Sequence, residues 1–232
     1  MTSKKSRRIA FFTAITALFF GASYVIPAVY AESGSSSGPS FGHVVVVVGS
    51  NRSYSQTYDA GTMPYLDALA AHYGLATNYT TDTHSAIGDS FVLTTGHILT
   101  NNDAQTPLSF PVSVDNIALD AQRAGKTWKD YMENLPSDSC SGLNMGDYSS
   151  GHDPFAYMTN INQTNRVCFS QFPADMKNGA LPSLSWLVPN NCDDGQSCGP
   201  GTFDKWLKTE MGPLLASKYF QPGASAPISF IG

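Results

Sequence analysis

The sequence predicts an α/β fold, a mostly parallel sheet flanked by helices, from three observations. Five consecutive valines, Val44 to Val48, form a β-branched run without polar alternation, the pattern of a strand buried on both faces. Runs of strand length then alternate with stretches of helical spacing as far as Ile231. Glycine and proline stand at the junctions, at Gly49, Pro64, Gly74, Gly125 and Pro189, where such a chain changes element.

After the valine strand, Pro64 suits the first turn of a helix that runs to about Tyr73 and stops at Gly74. Leu66, Leu69 and Ala70 fall on one face of that helix. Leu75 to Thr80 reads as a second strand, and a polar loop then leads into a helix around Ile87 to His97. Asp115 is the expected N-cap of a helix over Ile117 to Ala124, with Gly125 as its stop. Thr127 to Met132 and Ser183 to Val188 are the third and fourth strands. A helix from about Phe203 to Ser217, bent at Pro213, precedes a last strand over Pro227 to Ile231. Ser137 to Arg166 is rich in Ser, Gly, Asn and Asp and reads as a long excursion of the kind that forms lids and binding loops.

The first 31 residues carry a different signal. Lys4, Lys5, Arg7 and Arg8 precede an apolar stretch from Ile9 to about Val29, and Val29-Tyr30-Ala31 offers small residues for cleavage. This is the pattern of a secretory signal peptide, with an uncleaved anchor as the rival reading. A flexible leader, 32–40, and one domain, 41–232, follow, with no further segment apolar enough to span a bilayer. Loss of the four basic residues leaves 9 Lys and Arg against 18 Asp and Glu, a net charge of −9. So acidic a chain lacks the electrostatic footprint of a nucleic-acid binder.

Cys140, Cys168, Cys192 and Cys198 are an even number in a chain read as secreted or periplasmic, so disulfides are expected rather than zinc. Three pairings are open. The short loop from Cys192 to Cys198 favours a local bridge, which leaves Cys140 for Cys168.

In open parallel sheets ligands bind beyond the carboxyl ends of the strands. Three polar clusters fall at such positions: Ser50-Asn51, the run Thr83 to Asp89, and Asn190 with Cys192-Asp193-Asp194. A hydroxyl at a helix N-terminus is well placed to attack phosphorus, because free backbone N–H groups there stabilise anionic oxygens. Carboxylates and amides from neighbouring strand ends suit a hard divalent cation. Each residue also has a plainer reading: Asn51 as a turn cap, His84 as a backbone hydrogen-bonder, His152 as an exposed loop residue, and Asp193 and Asp194 as turn stabilisers.

The ordered set of motifs resembles the bacterial phosphoesterase family of acid phosphatases and phosphatidylcholine-type phospholipases C, whose fold is similar to alkaline phosphatase. The matching stretches are His43 to Tyr54, Gly74 to Tyr79, His84 to Asp89, Leu93 to Gly96, Ala124 to Trp128 with Tyr131 to Pro136, His152 to Phe155, Phe169 to Phe172 and Leu187 to Asn190. The resemblance implies a site that holds a divalent metal ion through a Glu-Asn pair, attacks with a serine, and takes phosphate-ester small molecules or phospholipids. Here the glutamate position is Ser50, beside the retained Asn51, and the nucleophile position is Ala86, flanked by His84 and Ser85. The family asparagine after it is Asp89, and a family His-Asp pair reads Gln196-Ser197. The family's acidic pair beyond the last strand has no counterpart before Gly232, which reads as an apparent truncation of the domain at its C-terminal end. The expectation is an exported phosphoesterase whose activity is weak or lost and whose metal binding is weakened. The alternatives are a non-catalytic binder of a phosphorylated or glycan ligand, and a non-functional truncated product.

Overall fold

A computed structural model describes residues 42–49, 52–136, 147–148, 150–220 and the strand Ile228–Ile231, all within one compact unit, Pro39–Gly232. The expected signal and leader, Ser50, Asn51 and Cys140 lie outside the described residues. The strands are β1 Val44–Val48, β2 Trp128–Met132, β3 Arg166–Cys168, β4 Leu184–Val188 and β5 Ile228–Ile231. They form a five-stranded sheet of order β3-β2-β4-β1-β5, parallel at every pairing.

β1 is sandwiched between β4 and β5, and its side chains alternate between two cores. Val46 and Val48 pack on one face with Trp128, Met132 and Trp186, while Val45 and Val47 pack on the other with Tyr131 and Leu187. Helices cover both faces. α3 (Ala86–Thr95) and α4 (Ile117–Arg123) supply Ile87, Phe91 and Ala118 to the first core. α5 (Gln171–Asn178), α6 (Pro200–Trp206) and α7 (Gly212–Leu215) supply Phe172, Phe203, Trp206 and Leu214 to the second. Two α-helices precede α3 in the chain: the single turn α1 (Tyr54–Thr57) and α2 (Pro64–Tyr73), whose Tyr65 and Leu66 pack against the second core.

The predicted α2, β1, β2 and β4 appear with nearly the expected limits. The predicted strand over Leu75 to Thr80 does not form: the whole segment is exposed and irregular. Both edges of β1 are already hydrogen-bonded to β4 and β5, so no central edge is open to it. The N-cap of α4 is Asn116 rather than Asp115; its side chain accepts from the Leu119 N–H at 2.9 Å, while Asp115 pairs with Arg123 at the surface. The helix expected from Phe203 begins at Pro200, and a π-helical turn, Leu207–Met211, absorbs the approach to Pro213, which has no N–H to continue an α-helix. α1, α5 and β3 were not anticipated; β3 is only three residues long, too short to show a period.

Asp204 of α6 ties the second layer together. Its buried carboxylate accepts from the N–H groups of Tyr65 and Leu66, at 3.2 and 2.8 Å, in the first turn of α2, where helical N–H groups lack intrahelical partners. Asp204→Ala should therefore lower unfolding free energy by about 1–2 kcal/mol, with Asp204→Asn less affected. Urea unfolding of the two variants checks this; equal midpoints for Asp204→Ala and the parent would refute it.

Candidate functional site

The polar end of the sheet opens into a cleft of about 750 Å³. Its floor is the end of β1, at Val48 and Gly49, and one wall is the N-terminus of α3, at Ala86, Asp89 and Ser90. The opposite side brings in Arg52 and Ser53 after β1, the 3-10 turn Ser150–His152, and Gln196 from the loop after β4. Gly49 is required by close approach: a β-carbon there would stand 2.4 Å from the Phe203 ring. Gly88, in the first turn of α3, is equally confined, since a β-carbon would meet the Thr100 carbonyl at 2.7 Å.

The start of α3 shows why its residues are these. Ser85 is the N-cap, its hydroxyl accepting from the Gly88 N–H and donating to Asp103 Oδ1 at 2.8 Å. The same Asp103 oxygen accepts from the Ile87 N–H at 3.1 Å. A carboxylate of the protein itself thus answers part of the positive end of this helix. Asp89 accepts from both the N–H and the hydroxyl of Thr83, at 2.8 Å each, and ties the incoming loop to the first turn. Ala86 follows the cap and presents a methyl group to the cleft, whereas Ser85 is buried and committed to capping. His84 is exposed at the cleft edge.

The loop after β4 is closed by the Cys192–Cys198 disulfide, the local pairing expected from spacing. Cys168 is also disulfide-bonded. Asn190 organises the loop: its Oδ1 accepts from the N–H groups of Cys192 and Asp193, and its Nδ2 donates to Asp193 Oδ2. The Arg52 guanidinium donates to the carbonyls of Gly195 and Gln196, so the loops after β1 and β4 are held together by a cation on backbone oxygens. Asp194 is more than a turn residue. It is 1 % exposed, and its Oδ2 lies 3.1 Å from Nδ1 of His152, itself 5 % exposed. His152 is therefore a buried member of the cleft wall rather than an exposed loop residue, because its turn packs on α3, where the Ser90 hydroxyl donates to the Gly151 carbonyl. The Asp194 carboxylate at this distance favours a proton on Nδ1 of His152.

Of the residues singled out in the sequence, the fold brings Ala86, His84, Asp89 and His152 to one cleft and places Ser85 beneath it. Asp194 joins them through His152. Asp103, which sequence reasoning missed, lies in a polar loop beyond the end of α3, and no local motif marks it. Asp82, Asp89 and Asp103 line the cleft against the single arginine Arg52. Among the described residues no three His, Cys, Asp or Glu side chains converge as a metal site requires.

Glu133, after β2, supports the same end of the sheet. Its carboxylate accepts from the Asn190 N–H at 2.9 Å and the Trp206 indole N–H at 2.8 Å. Burial pushes its pKa up to about 7; the two hydrogen bonds oppose the rise, and Asp193 and Glu210 add to it. Glu133 binds its proton more tightly in the folded protein than in the unfolded chain. Its contribution to stability is therefore full below about pH 4.5 and is lost as pH rises through about 7. Stability should fall between pH 5 and 8 by an amount on the order of 2–3 kcal/mol from this group, and Glu133→Gln should flatten that fall. Denaturant midpoints across the range measure it; an unchanged slope in the variant would count against the assignment.

Residues 52–223 match the Phosphoesterase family. The chain is 28% identical over 176 residues to a phosphatidylinositol-3-phosphatase of Mycobacterium tuberculosis, covering 75% of this chain and 58% of that protein. It is 26% identical over 206 residues to a probable acid phosphatase of Kluyveromyces lactis, covering 83% and 48%. It is 24% identical over 174 residues to an acid phosphatase of Aspergillus fumigatus, covering 70% and 39%. The chain thus spans about half the length of these curated relatives.

Proposed function

The chain belongs to the phosphoesterase family, and from that premise we propose that it is an exported member that binds a phosphate monoester in the cleft beyond β1 and turns it over weakly or not at all. The relatives are a phosphatidylinositol-3-phosphatase and acid phosphatases, so a phosphate monoester is the ligand class carried over to this chain. Export is supported by the basic and apolar pattern of the first 31 residues and by the Cys192–Cys198 disulfide, a bond at home in oxidising compartments. No helix among the described residues is long and apolar enough to cross a membrane.

The observation that carries the reading is Ala86. It stands in the first turn of α3 on the cleft wall, the place where the resemblance puts the attacking serine, and a methyl group cannot be phosphorylated. Ser85 is no substitute, since its hydroxyl is buried in the cap and bound to Asp103. Ser50 in place of the family glutamate removes a further negative charge from the expected metal ligands. Asp103 at the helix N-terminus and Asp89 beside it oppose an incoming phosphate. What supports binding is the cleft itself, which opens beyond the carboxyl end of β1 where parallel sheets take ligands, with the His152 ring on its wall.

Groups that act as a unit in catalysis lose most of their effect when any one is missing. Purified protein should therefore hydrolyse p-nitrophenyl phosphate at or near background, with or without added divalent cations. Inorganic phosphate should nevertheless raise the melting temperature in a concentration-dependent way. The combined variant Ser50→Glu, Ala86→Ser, Asp89→Asn should raise turnover by about 100-fold or more. Robust hydrolysis by the parent chain would overturn the loss of turnover, and an unmoved melting temperature at high phosphate would overturn binding.

A further inference from the structure

Behind His152, on the side away from the cleft, lies a buried ionic cluster that the proposed function does not use. Arg166 opens the edge strand β3 and stands in register with Asp130 of β2. Its guanidinium, 17 % exposed, forks onto the fully buried Asp153, with Nε donating to Oδ1 at 3.2 Å and Nη2 donating to Oδ2. Asp153 Oδ2 also accepts from the Tyr148 hydroxyl at 2.8 Å, and Oδ1 accepts from the Ala156 N–H at 3.0 Å, capping the 3-10 turn Pro154–Tyr157. Asp130, also fully buried, lies 3.7 Å from the guanidinium. Asp153 is the residue next to His152, and Pro154 follows it with its restricted φ. Two consecutive side chains are therefore divided between two environments: Asp153 is clamped in the interior and His152 is delivered to the cleft wall and to Asp194.

We propose that Arg166 is a positioning residue for His152, acting through its two-pronged ion pair with Asp153. The chain from Ser150 to His152 is a single 3-10 turn, too short to hold a ring in place by its own hydrogen bonds. The fork supplies the missing anchor because guanidinium and carboxylate meet in one plane and one orientation, which a lysine ammonium does not enforce. Burial and Asp153 push the Asp130 carboxyl up, with Arg166 opposing. Arg166 itself is held above its ordinary value: burial works against its charge, but Asp153 and then Asp130 outweigh it. The anchor stays charged throughout the working pH range.

The ligand-affinity part of this inference rests on the cleft being the phosphate site, whereas the placement of His152 does not. The test therefore reads both. In protein labelled with 15N-histidine, the parent should show His152 with a protonated, carboxylate-bonded Nδ1. Arg166→Lys should keep the fold but weaken that signature, with fast exchange of the Nδ1 proton. It should also raise the dissociation constant for inorganic phosphate about tenfold. If Arg166→Lys fails to fold, the pair Arg166→Met with Asp153→Asn removes the buried charges together and should show the same two changes. Lys129→Met is the control, since it breaks the Lys129–Asp175 pair on the opposite face of the sheet and should cost stability without moving the His152 signals. A signature present in the parent and lost in Arg166→Lys, with a parent that binds no phosphate, would support the positioning role and reject the binding reading. An unchanged His152 signature in a folded Arg166 variant, or the same change in Lys129→Met, would overturn the positioning role.

Discussion

β1 leaves no room for polarity along its length. It is hydrogen-bonded on both edges, to β4 and β5, and covered on both faces, by Val46 and Val48 in one core and Val45 and Val47 in the other. A polar side chain within it would lose water without gaining a partner. Polar groups are therefore pushed past its carboxyl end, and the parallel pairing puts the end of β4 beside it. The cleft follows from that constraint. Gly49 lets Phe203 close against the end of the strand, and Arg52 then binds the two loops to each other through backbone carbonyls.

Away from this centre, several buried ionisable groups are answered by partners, whereas the oxygens of the fully buried Asp130 accept no hydrogen bond among the described residues. Asp153 meets Arg166 and Tyr148, Lys129 meets Asp175, and Glu133 accepts two N–H groups. Breaking such a pair by removing one partner is costly, because the other charge is left in the interior. These arrangements sit on and just beyond β2 and β3, the outer part of the sheet. Of these, the Asp153 clamp holds in place the short turns that carry His152, which have little regular hydrogen bonding of their own.

The candidate site was legible in part. Ala86, Asp89 and His84 could be assigned to one region because a cap, a glycine and a helical period mark the start of α3 within a few residues. His152 could be named from the sequence but not placed, since burial depends on what packs over its turn. Asp103 could not be found at all: it acts by reaching back 18 residues to Ser85, and nothing local distinguishes it from other loop acids. The strand expected over Leu75 to Thr80 shows the opposite error, a local pattern with no sheet edge available to receive it.

By itself the sequence determined the fold class, β1, β2 and β4, the limits of α2, and the Cys192–Cys198 bridge. Each of these rests on patterns spanning a few residues: side-chain periodicity, a terminating glycine or proline, a short loop between cysteines. Tertiary structure alone decided the strand order, the capping of α2 by Asp204, the meeting of His152 with Asp194, and the clamp of Arg166 on Asp153. Those contacts join residues far apart in the chain. Which of many chemically equivalent acids, arginines and histidines come together is set by sheet register and helix packing, a geometry that no local pattern encodes.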